Sequence, residues 1–188
     1  KNNNITLKKH VFFFKKKTKE SVLKQFYSKL SKDKTKSVAW TDMYFLWKFY
    51  CKGENIPVLI YKDQVKDILG KMIEFDGEKF MGVFSKNSII INSFLQFWSE
   101  NIVEEDGYEY EVGELCTIYT DWNSKHTIAE PLLPFIIKHF FPKIRIMKNR
   151  YLLNIKCDLW DKSLEVTESL TLFKDEYSEE ITEITNYN

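Results

Sequence analysis

Residues 109–162 constrain the fold more than any other part of the chain. Residues 112–122 carry apolar side chains at helical spacing, and residues 127–141 hold a second such run. Pro131 stands in a first turn, where its missing amide costs nothing; Pro134 falls in that turn or kinks the helix, and Pro142 ends it. IRIMKNRYLLNIKCDLW then alternates about a turn at Lys148-Asn149-Arg150, which predicts strands at 144–147 and 151–157. Helix, turn, helix, hairpin is the element order of a winged helix.

A similar order precedes it. Residues 41–56 present Met43, Phe45, Leu46, Trp47, Phe49 and Tyr50 as a wide apolar surface, with Thr41 or Asp42 as N-cap and Gly53 as stop. Pro57 pushes Ile56 away from helix, so IPVLI reads as extended. Residues 62–73 place Val65, Ile68, Leu69 and Met72 on one helical face. FDGEKFMGVF predicts two short strands about Asp76-Gly77. Residues 92–103 read as a helix with Phe94, Leu95, Phe97, Trp98 and Ile102 inward, and EEDG at 104–107 as a break. Upstream, residues 20–30 form an amphipathic helix with Val22, Leu23, Phe26, Tyr27 and Leu30 on one side, and VFFF at 11–14 is a short strand or an anchor. The expected class is α+β, mainly α, in tandem winged-helix-like units. A basic arm and helix span 1–37, the first unit 38–90, the second 91–162 and an acidic tail 163–188. The matching order leaves open an internal duplication.

With 44% hydrophobic and 16% aromatic residues, the chain can bury a substantial core. Its net charge of +1 decides nothing by itself, but the distribution is uneven. Residues 1–36 hold twelve Lys against Glu20 and Asp33, while residues 165–188 hold seven acids against Lys174. Such asymmetry reads as a basic end and a solvated acidic tail, or as the ordinary surface of a Lys- and Asn-rich protein. No run approaches the roughly 18 apolar residues of a membrane span, and no signal peptide is visible. The start at Lys1 reads as processing or a fragment. Cys51, Cys116 and Cys157 are widely spaced among apolar neighbours, which predicts buried free thiols in a reducing compartment.

Winged helices dock on nucleic acid by helix and wing. Here the second helix carries Lys138 and His139. The hairpin carries Lys143, Arg145, Lys148, Arg150 and Lys156, with Asn149 at its tip: five cations within fourteen residues. If all five met phosphates, log affinity would fall with log salt at a slope of about −4 to −5. The second helix begins AEPLLPFII, which is a poor base reader, so contact with DNA would run through phosphates with little sequence preference. The same apolar helix also suits burial against a partner domain, the mark of a protein-interaction module without nucleic acid. The first unit offers Lys62, Lys66, Lys71, Lys79 and Lys86, diluted by Asp63 and Asp67.

Other chemistry finds little support. His10, His126 and His139 lie in no metal-binding spacing, no thiol has a local activator, and no phosphate-binding glycine loop is present. Glu104, Glu105, Asp106, Glu109, Glu111 and Glu114 surround a turn and a helix start, where acids favour the helix dipole. No cofactor, metal or catalytic residue is expected. Trp160, just after the wing, is the aromatic whose exposure would matter for base stacking.

At FLWKFYCKGENIP, SFLQFWSENI, YEYEVGELCTIYTDW and HFFPKIRIMKNRYLLNIKCDLWDK the chain resembles the region beyond the helicase core in D5-like primase–helicases of large cytoplasmic DNA viruses. The resemblance covers about residues 40–162. It implies a parent that is an ATP-driven superfamily 3 helicase, often fused to a primase, with this chain as a C-terminal accessory module. Its partners would be DNA and the helicase core or other replication proteins, in the host cytoplasm or a viral factory. The helicase's phosphate-binding loop and acidic metal-binding motif are absent here, so the resemblance carries over no catalytic residue.

Overall fold

The computed structural model describes residues 17–160 together with positions 170, 171 and 173. VFFF, the lysines at 15 and 16, and the rest of the acidic tail lie outside the described residues. The chain is α+β, mainly helical, with two small antiparallel sheets. It divides into two compact units, residues 1–95 with 135–141 and residues 96–134 with 142–188.

In the first unit the order is α1 (Lys19–Tyr27), β1 (Ser31–Ala39), α2 (Trp40–Gly53), α3 (Lys62–Gly70) and β2 (Lys79–Phe84). Thr18 caps α1 by accepting from the Ser21 amide at 3.1 Å. The helix buries Val22, Leu23 and Phe26. Strand β1 pairs antiparallel with β2, and Phe75 bridges to Phe80. These pairings give helix, strand, helix, helix, hairpin, the full winged-helix order. The turn falls where the sequence put it: Gly77 takes φ of 108°, and Asp76 Oδ1 accepts from the amides of Glu78 and Lys79 at 2.8 and 2.7 Å.

Two expectations change here. The expected arm and helix of 1–37 is, from residue 17, part of the first unit, since the helix α1 adds to its core and β1 to its sheet. Strand β1 was invisible because SKDKTKSVA buries only Val38, so backbone pairing rather than an apolar face defines it. Neither Thr41 nor Asp42 caps α2; Ala39 holds that position, and Asp42 is buried in the first turn. Burial raises the Asp42 carboxyl above its ordinary value, against a weak hydrogen bond from Thr41.

The second unit takes its elements from the end of α4 (Lys86–Asn101), which begins in the first unit, then β3 (Ile102–Glu111), α5 (Val112–Trp122), β4 (Arg145–Met147) and β5 (Tyr151–Cys157); α6 (Leu133–Phe140) falls between α5 and β4 in the chain, but from residue 135 it belongs to the first unit, so the second unit expected at 91–162 lacks its second helix. The sheet order is β3-β5-β4. EEDG is therefore a strand, not a break. The ladder to β5 runs from Ile102↔Cys157 to Glu111↔Tyr151, and a register shift between Glu104 and Glu109 accommodates Gly107 at φ 88°. Pro131 lies before α6, and Pro134 is inside its first turn. Tyr110, Leu115, Tyr119, Leu152 and Ile155 are buried in this unit's core.

Candidate nucleic-acid interface

The β4–β5 hairpin forms as the sequence predicts. Lys148 and Asn149 both adopt positive φ, 51° and 56°, and the Arg150 amide donates to the Met147 carbonyl at 3.0 Å. Asn tolerates that region; Lys does so at a cost of about 1 kcal/mol. Lys143, Arg145, Lys148, Asn149 and Arg150 are exposed, and Lys156 is half-buried.

The hairpin's cations do not face open solvent alone, because β3 lays carboxylates beside them. Arg150 forks onto Glu111, with Nε and Nη2 donating at 3.0 Å. That contact raises the guanidinium pKa further. Lys156 Nζ sits 3.5 Å from Glu105 Oε2, and that carboxylate raises its pKa as well. Lys143 and Arg145 line one shallow concavity with Glu104, Glu105 and Asp106. The acids at 104–109 thus lie on a strand rather than around a turn, while Glu111, the strand's last residue, also stands at the helix start. Glu111 and Glu114 serve the start of α5 as expected: Glu114 accepts from the Glu111 amide at 2.6 Å, and the Glu111 side chain accepts from the Glu114 amide. Of the five hairpin cations, two are held by carboxylates and two share a hollow with them.

Lys138 and the hairpin residues are not brought onto one surface of one unit. Residues 135–141 cluster with the first unit. There α6 lies along α2: Phe135, His139 and Phe140 approach Phe45 with ring centroids 5.2, 5.4 and 5.5 Å away. His139 Nε2 reaches the Thr41 carbonyl at 3.1 Å, so Nε2 carries the proton and donates. Burial first, then Lys48, lowers the His139 pKa to about 4. Ile136 and Ile137 are fully buried. Lys138 remains exposed, but this helix spends its apolar face on packing, as its composition suggested.

The thiols are inert: Cys51, Cys116 and Cys157 are buried and free, and burial pushes the first two up to about 12. Trp160 is half-buried, edge-on to Tyr110 at 6.0 Å, and so is no open stacking platform. No group of His, Cys, Asp or Glu among the described residues is arranged to hold a metal. No helix among them is long and apolar enough to cross a membrane.

The first unit carries a second cationic surface, of which the sequence reading named only Lys62 and Lys66. Trp40, Tyr44, Lys48 and Lys52 recur every four residues along α2, a stripe present in the sequence but not singled out there. Lys62 and Lys66 on α3 lie against the same rings.

No family model, curated protein or solved structure gives a significant match to this chain.

Proposed function

We propose that this chain is a nucleic-acid-contacting accessory module of winged-helix-like units, meeting the phosphate backbone through the β4–β5 hairpin. The observation that carries the reading is the exposed, basic hairpin tip at Lys148-Asn149, with Arg145 exposed on the paired strand and Lys143 exposed just before it. Arg150 and Lys156 are tied to carboxylates, so about three phosphates rather than five would be neutralised. The expected salt slope falls to about −3. The helicase–primase setting, with a helicase core as neighbour and the host cytoplasm or a viral factory as location, rests on the sequence resemblance alone.

A second reading is favoured by the ion pairs themselves. Arg150–Glu111 and Lys156–Glu105 bring the sheet surface toward neutrality, which suits a protein-docking module of a replication complex. Fluorescence anisotropy with labelled duplex DNA across a salt series separates the two. Binding with a slope near −3, flattened in Arg145→Ala/Lys148→Ala, supports the phosphate-contacting hairpin. No binding at low salt by folded protein leaves the docking module as the account.

A further inference from the structure

The first unit carries a surface whose cations are not neutralised. Lys62 Nζ lies 5.9 Å from the Trp40 ring centroid and 5.5 Å from that of Tyr44. Lys66 Nζ lies 6.0 Å from Trp40 and 4.7 Å from Phe75. Lys48 reaches Tyr44 at 5.5 Å, and Lys52 reaches Phe135 at 5.1 Å. Among the described residues no carboxylate forms an ion pair with any of these four lysines. Partial burial and the neighbouring Lys62 both lower the Lys48 pKa, the sign expected where like charges gather without a counter-ion. Trp40, Tyr44 and Phe75 are half-buried, so part of each ring remains open, and Tyr61 at the start of α3 is 77% exposed.

We propose that this lysine and aromatic surface of α2 and α3 binds single-stranded nucleic acid, the lysines meeting phosphates and the rings stacking on bases. It extends the nucleic-acid reading to a second surface and a second ligand form. Cations interleaved with aromatic faces are what an unpaired strand needs, since every base has a π face and every nucleotide a charge. Duplex DNA fits less well. A helix seated in a major groove is flanked by phosphates on both sides. On α3 the Lys62/Lys66 stripe is followed, one residue around, by the exposed Asp63/Asp67 stripe. A duplex would press that acidic stripe toward a backbone, whereas a single strand tracks the lysine side alone. Gln64, whose amide is of the kind that reads base edges, accepts from Lys19 Nζ at 2.9 Å.

The test uses the full chain with fluorescein-labelled oligothymidylate, oligouridylate and a duplex of equal length. The expected result is binding of one or both single strands, weakened about tenfold or more in Lys62→Glu/Lys66→Glu and unchanged in the surface control Lys125→Ala. The deoxy and ribo arms tell DNA from RNA. Duplex binding that needs the hairpin, with no single-strand binding, overturns this proposal and leaves the hairpin reading standing. No binding of any probe overturns both. Equal single-strand affinity in the charge-reversed variant also overturns it. Should that variant misfold, photocrosslinking of 4-thiothymidine oligonucleotide to the unaltered protein decides: adducts on residues 40–48 or 61–75 support the site, and adducts confined elsewhere overturn it.

Discussion

The two basic regions hold their charges in opposite ways. On the β4–β5 hairpin, cations stand beside carboxylates of β3, and the best-oriented of them, Arg150, is bound through two nitrogens. On α2 and α3, cations stand over aromatic rings with no carboxylate partner among the described residues. A lysine over a ring keeps its full charge for an incoming anion, while an arginine forked onto a carboxylate must first give that partner up. Counting cations in the sequence therefore singles out the hairpin, whereas in the structure the helical lysines are the ones with no carboxylate to displace among the described residues. Five cations in fourteen residues made the denser cluster, but density said nothing of what β3 laid beside it.

The largest effect should come from the packing beneath the helical surface. Phe45 is 1% exposed and touches rings on α6. Phe45→Ala should cost about 3–5 kcal/mol in urea unfolding, since it removes a large buried ring and leaves a cavity. It should also loosen α6, so that the His139 resonance titrates nearer its ordinary value. A cost below about 1 kcal/mol, with His139 still depressed, would mean α6 does not depend on that packing.

His139 gives the next effect. Its pKa is about 4 in the folded protein against about 6.5 unfolded. A cationic side chain with a depressed folded value takes its proton preferentially in the unfolded state. Its contribution is therefore complete above about pH 6.5 and is lost as pH falls from there toward 4. The ring is half-buried, so solvent screening trims the loss to about 1–2 kcal/mol. His139→Gln should flatten the stability profile across that window while keeping a donor for the Thr41 carbonyl. An unchanged profile would show that other groups set the acid limb.

The hairpin side of the comparison is broken by Glu111→Gln. With its fork weakened, Arg150 becomes available to a phosphate, and the duplex salt slope should steepen by about one. Conversely, Arg150→Ala in the otherwise unaltered chain should change the slope less than Arg145→Ala. If Arg150→Ala and Arg145→Ala flatten it equally, the ion pair opens readily on binding and the contrast between the two regions disappears.

What the sequence disclosed follows from where the physical signal lay. Helix α5, strand β5 and the Lys148-Asn149 turn were legible because each has a local signature: apolar spacing of three and four, alternation, and a turn dipeptide. Strands β1 and β3 were not, because SKDKTKSVA and IVEEDGYEYE draw their order from partners distant in sequence. Each contains a bulge that breaks alternation. Missing β3 also hid the hairpin's counter-ions, since acids placed around a turn have no fixed distance to Arg150 or Lys156. For α6, an apolar composition foretold burial but not its cover, because hydrophobic attraction carries no direction. The Trp40, Tyr44, Lys48, Lys52 stripe was present at spacing four, but the apolar surface from Met43 to Tyr50 already accounted for the helix.

The smallest expected effect concerns Lys148, where stability and binding should part. Its backbone sits at φ 51° in the turn, a region that costs an L side chain about 1 kcal/mol and glycine almost nothing. Lys148→Gly should therefore raise thermal stability by about 0.5 kcal/mol, after the added freedom of glycine in the unfolded chain is subtracted. Under the hairpin reading it should also lower duplex affinity, because an exposed charge at the tip is gone. Single-strand affinity should not move, since the helical surface is untouched. A gain in stability with no change in duplex binding would show that the tip is a structural turn whose charge meets no phosphate, and the hairpin would lose its claim to the larger role. A loss of both would point instead to a lysine whose side chain holds the turn in place.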